Sequence, residues 1–100
     1  MMEIIHVARK GRLNELQSLI DHQATVNTVT GDKWTPLHRA SINGHHQCVK
    51  LLIDHQANIN AVDNEMRTSL HLASGYGKVD VVKLLLDHQA DKSISNVRLS

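Results

Sequence analysis

The tetrapeptide Asp-His-Gln-Ala occurs at 21–24, 54–57 and 87–90, an interval of 33 residues each time. A period that long in a chain of 100 residues leaves room for three units. No other feature constrains the fold as strongly, because a unit of this size cannot bury a core alone and must lean on its neighbours. The shift aligns more than the tetrapeptide. WTPLHRASINGHHQCVKLLIDHQANINA (34–61) falls on RTSLHLASGYGKVDVVKLLLDHQADKSI (67–94), and IIHVARKGRLNELQSLIDHQATVNT (4–28) falls on the same frame. Gly11, Gly44 and Gly77 recur, as do Leu19, Leu52 and Leu85, and Ala24, Ala57 and Ala90.

Within each unit the residues predict two short helices. Thr35-Pro36 is a helix start, with a hydroxyl to cap the first free N–H groups and a proline where a missing N–H costs nothing. Thr68-Ser69 keeps the cap without the proline. Gly44 and Gly77 lie between apolar-periodic stretches and suit a left-handed residue in a tight helix–helix turn. The expected helices are roughly 2–10 and 13–22, 36–43 and 46–55, 69–76 and 79–88. Such helices are marginal alone. Stacking is expected to bury Leu37, Ala40, Val49 and Leu52 against Leu70, Ala73, Val82 and Leu85. With no Phe, one Trp and one Tyr, the core must be built from small aliphatics, which suits helices packed at close range.

The period, the Thr-Pro-Leu-His-x-Ala box at 35–40, Gly44, the apolar run ending at Ile53 and the Ala-x-x-Asn tail at 57–60 together resemble the ankyrin repeat. The resemblance covers essentially the whole chain. It implies an all-α solenoid of stacked helix-turn-helix units joined by β-hairpin-like turns. The chain is then a single domain, 1–100, with repeats at about 1–29, 30–62 and 63–95 and a partial repeat at 96–100. Structural roles are implied for Thr35, Pro36, His38, Thr68, His71, Gly44 and Gly77, the two histidines tying one turn to the next. Asp-His-Gln-Ala becomes the seam between units. The chain departs from the family there. Gln23, Gln56 and Gln89 stand where ankyrin repeats carry a left-handed Gly, and Lys33 and Met66 stand where a second Gly is usual. A non-glycine residue in that conformation costs on the order of 1 kcal/mol. The units diverged together, as after internal duplication or deliberate design.

Other classes of function find little support. A net charge of +1 does not suit a dedicated nucleic-acid binder. Cys48 is alone, which fits a reducing compartment. Neither a signal peptide nor a membrane-spanning run is present, so a cytoplasmic or nuclear location is expected. Eight histidines invite a metal, yet His22, His55 and His88 should lie about 10 Å apart in stacked units. That is too far to share a zinc whose ligands sit about 2 Å away. The adjacent His45 and His46 face different ways. Cys48 falls at an apolar position, and no nucleophile–base or phosphate-loop pattern occurs. No enzyme activity, metal or cofactor is expected.

The resemblance implies a protein-interaction module that grips a partner with its turn tips and the concave face of its first helices. The non-framework positions there are Gly31, Asp32, Trp34, Asn64, Glu65 and Arg67 in the turns, with Val29 and Val62 leading in. On the first helices they are Arg9, Lys10, Ile42, Asn43, Gly75 and Tyr76. Trp, Tyr and Arg are enriched at binding hot spots, so a partner surface centred on Trp34, Ile42, Arg67 and Tyr76 is expected. Trp34→Ala should then weaken binding while leaving folding nearly intact. The competing reading is a structural fragment of a longer array, or a duplicated scaffold with no partner of its own. Arg9, Lys10 and Arg12 form a basic cluster that could touch an acidic partner or a nucleic acid, or be a solvated helix end. Asn60 and Asn27 stand eight residues after Leu52 and Leu19. That context is similar to ankyrin asparagines modified by oxygen-dependent hydroxylases, with a plain cross-turn hydrogen bond as the alternative. Glu15 and Ser18 make a polar N-terminal cap. Val81, Leu84 and Leu86 leave an apolar outer face on the third unit, expected to fray first or to mediate weak self-association.

Overall fold

The structure, a computed structural model, describes residues 3–88. Six helices follow in order: α1 (Glu3–Lys10), α2 (Leu13–Asp21), α3 (Pro36–Ile42), α4 (His46–Asp54), α5 (Ser69–Gly75) and α6 (Val79–Asp87). The first helices α1, α3 and α5 pack in one row, and the second helices α2, α4 and α6 form a parallel row behind them. Among the described residues there is no strand, and no helix is long and apolar enough to cross a membrane.

The starts of α3 and α5, and the ends of α1 to α5, are closed by residues that the sequence pattern singles out. The Thr35 hydroxyl accepts from the His38 N–H at 3.1 Å, and the Thr35 N–H donates to His38 Nδ1 at 3.2 Å. Thr68 and His71 repeat this reciprocal cap at 3.2 and 3.1 Å. Both satisfy helix N–H groups that would otherwise be orphaned. At the other ends the chain turns left-handed. Gly11, Gly44 and Gly77 have φ of 72°, 74° and 69°. Gln23 and Gln56 hold the same conformation, φ 67° and 70°, without being glycine. In each seam two reverse hydrogen bonds close the helix: Gln56 N–H to Ile53 O and Ala57 N–H to Leu52 O, both 2.9 Å. Gln23 and Ala24 bond Ile20 and Leu19 in the same way. This is the double bond pattern that a left-handed residue after a helix permits. Gln89 lies outside the described residues.

The connections to the next unit are hairpin-like without forming strands. Thr30 N–H donates to Trp34 O at 3.1 Å, and Asp63 N–H donates to Arg67 O at 3.0 Å. Lys33 and Met66 sit at the tips with φ of 64° and 61°. One turn is tied to the next by Asn64 N–H donating to Asp32 O at 3.1 Å.

Comparing equivalent positions shows which way each side chain faces. Glu15 is exposed, whereas its equivalents Cys48 and Val81 are buried, so this position looks back toward the preceding unit. Leu16 and Val49 are buried, whereas Val82 is half-buried, so this position looks forward. Glu15 and Ser18 are both exposed. The expectation for the third unit needs correcting. Val81 is not on the outer face; it is fully buried on the side that meets α4. Val82 is the forward-looking residue, and Leu84 and Leu86 are half-buried against the core. The tail after His88 lies outside the described residues.

Candidate partner surface

His38 shows how the core sets the turns that carry the surface. It is wholly buried. Its Nδ1 accepts from the Thr35 N–H, which leaves the proton on Nε2 to donate to Arg67 O of the next turn at 2.9 Å. Burial holds its pKa below the ordinary 6.5, against the opposing pull of the Arg67 carbonyl. The neutral ring therefore fixes the turn at Arg67 relative to the helix at Thr35.

Around that anchor lie the turn residues. The Asp63 carboxylate is buried and accepts from the N–H groups of Glu65 and Arg67 at 2.8 and 2.9 Å and from Arg67 Nε at 2.9 Å. Burial alone would raise its pKa, but the two N–H groups and the guanidinium prevail and hold it below 3.8. Arg67 also reaches Glu65 at 2.7 Å. In the preceding turn, Asp32 accepts from the Thr30 hydroxyl and from Trp34 N–H, and it meets Arg39 at 3.6 Å. The Thr30 hydroxyl, first of these influences, holds the Asp32 carboxyl below its ordinary value.

Trp34 differs from expectation. It is only 9% exposed. The Arg39 guanidinium lies 4.5 Å from its ring centroid, the Arg67 guanidinium 5.7 Å, and the His38 ring 5.8 Å. Cations over an aromatic face attract its quadrupole, so the indole is covered by its own neighbours rather than exposed as expected. Position 34 looks forward, which brings Arg67 of the next turn over it. Arg39 is the residue that sequence reasoning missed. It occupies the variable place in Thr-Pro-Leu-His-x-Ala, five positions after the tryptophan.

The remaining expected residues divide into two groups. Asn64 and Asn43 are exposed but tied to the preceding unit: Asn64 Nδ2 donates to Gly31 O at 3.3 Å, and Asn43 Nδ2 donates to Arg9 O at 3.3 Å and Arg39 O at 3.1 Å. Tyr76 is 62% exposed at the end of α5, with Ile42 half-buried at the end of α3. Gly75 lies open beside Tyr76: a Cβ there would meet nothing within 4 Å. Arg9 and Lys10 are exposed at the end of α1. Since 10, 43 and 76 are equivalent positions, and 9, 42 and 75 likewise, these positions form two rows across the ends of the first helices. Met66, 68% exposed at a turn tip, was not foreseen as a contact residue, although its tip position was known.

The other candidates behave as framework. Cys48 is buried, and burial raises its thiol pKa, so it remains a protonated apolar filler. Asn27 bridges units by accepting from Asn58 N–H at 2.7 Å and donating to Gln56 O at 3.3 Å. Asn60 is half-buried, and its N–H donates to Asn58 Oδ1 at 3.2 Å. Among the described residues no three His, Cys, Asp or Glu side chains gather to hold a metal.

The family profile of ankyrin repeats in three copies matches residues 4–96. The chain belongs to the ankyrin-repeat family. Ankyrin repeats are in general protein-binding units, and typically not catalytic. This ankyrin-repeat chain is 48% identical over 48 residues to ankyrin repeat domain-containing protein 49 of Bos taurus, covering 47% of this chain and 20% of that protein. It superposes on the crystal structure of the human ASB11 ankyrin repeat domain with a TM-score of 0.85 and 34% identity, covering 88% of this chain and 40% of that one. The ankyrin-repeat chain thus spans less than half the length of either relative.

Proposed function

We propose that this chain binds a partner protein across the concave face of its first helices, with Tyr76, Ile42 and Asn43 at the centre and Asp32, Asn64, Glu65, Met66 and Arg67 along the turn tips. The observation that carries this reading is Tyr76. It is an exposed aromatic at a helix end whose equivalents, Asn43 and Lys10, show that the fold needs no ring there. Exposed rings are costly to leave unpaired and are enriched at hot spots. Trp34 supports the surface from beneath. The activity is binding without catalysis, and the buried, reduced Cys48 favours the cytoplasm or nucleus.

The test is affinity capture from the source cell with wild-type chain, with Tyr76→Ala and Ile42→Ala, and with Lys50→Ala and Lys83→Ala on the second helices. The expected result is a set of proteins lost with the first pair and kept with the second. A set indifferent to Tyr76 and Ile42 would favour the other reading, a segment of a longer array. That reading draws support from Val82, half-buried where Leu16 and Val49 are covered by a following unit. Asn60 is proposed as a hydroxylation substrate on its sequence context; mass spectrometry of the purified chain should find one added oxygen on the peptide bearing it.

A further inference from the structure

The concave face is chemically polarised. At the α1 end, Arg9 and Lys10 are exposed, and among the described residues no carboxylate lies within ion-pair distance of either. Arg12, by contrast, is paired with Glu15 at 3.5 Å. Arg9 Nη2 instead meets His6 Nδ1 at 3.4 Å, another nitrogen. Glu3 begins α1, about 10 Å away along the helix. At the α5 end the same two rows hold Gly75 and Tyr76, and between them stand Ile42 and Asn43. None of these six positions carries an acid. The face therefore runs from two cations with no carboxylate beside them among the described residues to an exposed ring beside an open backbone.

We infer that the partner presents an acidic segment, its carboxylates over Arg9 and Lys10 and a bulky apolar side chain against Tyr76 and Gly75. This rests on the concave face being the binding surface, and it adds the chemistry and direction of what lies there. Charge complementarity selects the occupant: two exposed cations with no carboxylate partner among the described residues repel a basic segment and gain from an acidic one. Spacing sets the register. Stacked helices lie about 10 Å apart, so α1 to α5 spans about 20 Å. An extended chain covers that distance in about six residues. Asn43, between the two ends, has its amide N–H groups committed to Arg9 O and Arg39 O, which leaves its Oδ1 to accept a backbone N–H of the segment.

The experiment uses phage-displayed dodecapeptides selected against the full chain, followed by anisotropy titration of the enriched sequence as a labelled synthetic peptide. The expected peptides carry Asp or Glu at one end and a Leu, Phe or Met about six residues away. Arg9→Gln with Lys10→Gln should weaken binding about tenfold, and binding to the unchanged protein should fall with added salt. Tyr76→Ala should weaken it about tenfold or more. The glutamine pair removes charge without placing acids at a helix C-terminus, and circular dichroism confirms that α1 is retained. Enrichment of neutral or basic peptides overturns the inference, as does binding indifferent to the glutamine pair. If such peptides still depend on Tyr76, the concave face stands and only its acidic occupant is lost; if they do not, both fall. Displacement of the acidic peptide by a single-stranded oligonucleotide would assign the cations to nucleic acid instead. Failure to enrich any peptide overturns a linear segment as the occupant.

Discussion

At the scale of single residues, the chain holds side chains in backbone conformations that glycine adopts more readily. Gln56 has φ 70° and an exposed side chain, and the bonds its left-handed conformation serves are backbone ones that glycine would keep: the two that close α4 and the one its carbonyl accepts from Asn27. A side chain in that region costs about 1–2 kcal/mol, and glycine returns part of the gain through its looser unfolded chain. Gln56→Gly should therefore stabilise the protein by about 0.5–1 kcal/mol. Urea titration checks this, and a neutral or negative result would show that the glutamine side chain contributes something the bonds above omit. Trp34 carries the opposite expectation. Its ring is buried beneath Arg39 and Arg67 but lies outside the main aliphatic core. Trp34→Ala should cost about 2–3 kcal/mol, at or just below the lower limit for deeply buried aromatics, because the ring lies at the edge of the core. This replaces the expectation from sequence that folding would be left nearly intact. As the only tryptophan, it reports its own environment: its fluorescence should shift with global unfolding, and a shift preceding the circular dichroism transition would show the turns opening first. Ser41 is a smaller case, fully buried with no hydrogen-bond partner for its hydroxyl. A buried polar group left in that state is a cost that alanine would remove.

At the scale of elements, the hairpin-like turns depend on two titrating groups, each held below its ordinary pKa, whose contributions are lost in successive windows as pH falls. His38 must be neutral, because its Nδ1 accepts from Thr35 and burial disfavours the charged ring. Its folded pKa lies below the unfolded value of about 6.5, so the unfolded chain takes up the proton first. Stability should thus fall as pH drops below about 6.5, continuing down to the folded pKa. Urea midpoints between pH 7.5 and 4.5 should decline, and His38→Asn should flatten that decline while lowering the plateau. A midpoint independent of pH would mean that the ring is reached by water. Asp63 acts in a lower window. Its folded pKa is depressed below 3.8, so its contribution is present above that value and is lost as pH falls through the folded pKa. The cap and the seam were both legible in sequence because they are local: a threonine, a histidine three residues on, and a left-handed residue after the helix. What holds one turn to the next was only partly legible. The reach of His38 to Arg67 follows from the family resemblance, but Asn64 to Gly31 and Asn43 to Arg9 depend on which side chains meet across units.

At the scale of the whole molecule, each unit borrows stability from its neighbours, so position in the stack matters as much as composition. Glu15, Cys48 and Val81 occupy one position and differ in burial: Cys48 and Val81 are covered by the unit before them, and no described residue covers Glu15. Val82 is the mirror case on the forward side. Among the described residues α6 packs against α4 and α5, whereas α4 packs against α2, α3 and α6, and in a nearest-neighbour array the element with fewer packed neighbours opens first. Hydrogen exchange should therefore find the amides of α6 less protected than those of α4. Equal protection in a dimer by sedimentation would mean that a second copy covers Val82, Leu84 and Leu86.

The 33-residue period, the caps, the left-handed seams and the helix pairs were determined by the sequence alone, because each rests on contacts within a few residues or on a repeat that aligns with itself. The identity of the packed surface was decided by tertiary structure. Trp34 and Tyr76 look alike as lone aromatics at non-framework positions, yet one is 9% exposed and the other 62%. The difference lies in neighbours that the sequence places five and 33 residues away: Arg39 and Arg67 close over the indole, and nothing closes over the phenol. Val81 and Val82 show the same limit, since adjacent valines on one helix turn face opposite units. Periodicity reports that a position is apolar; only the stacking of one unit on the next decides what it touches.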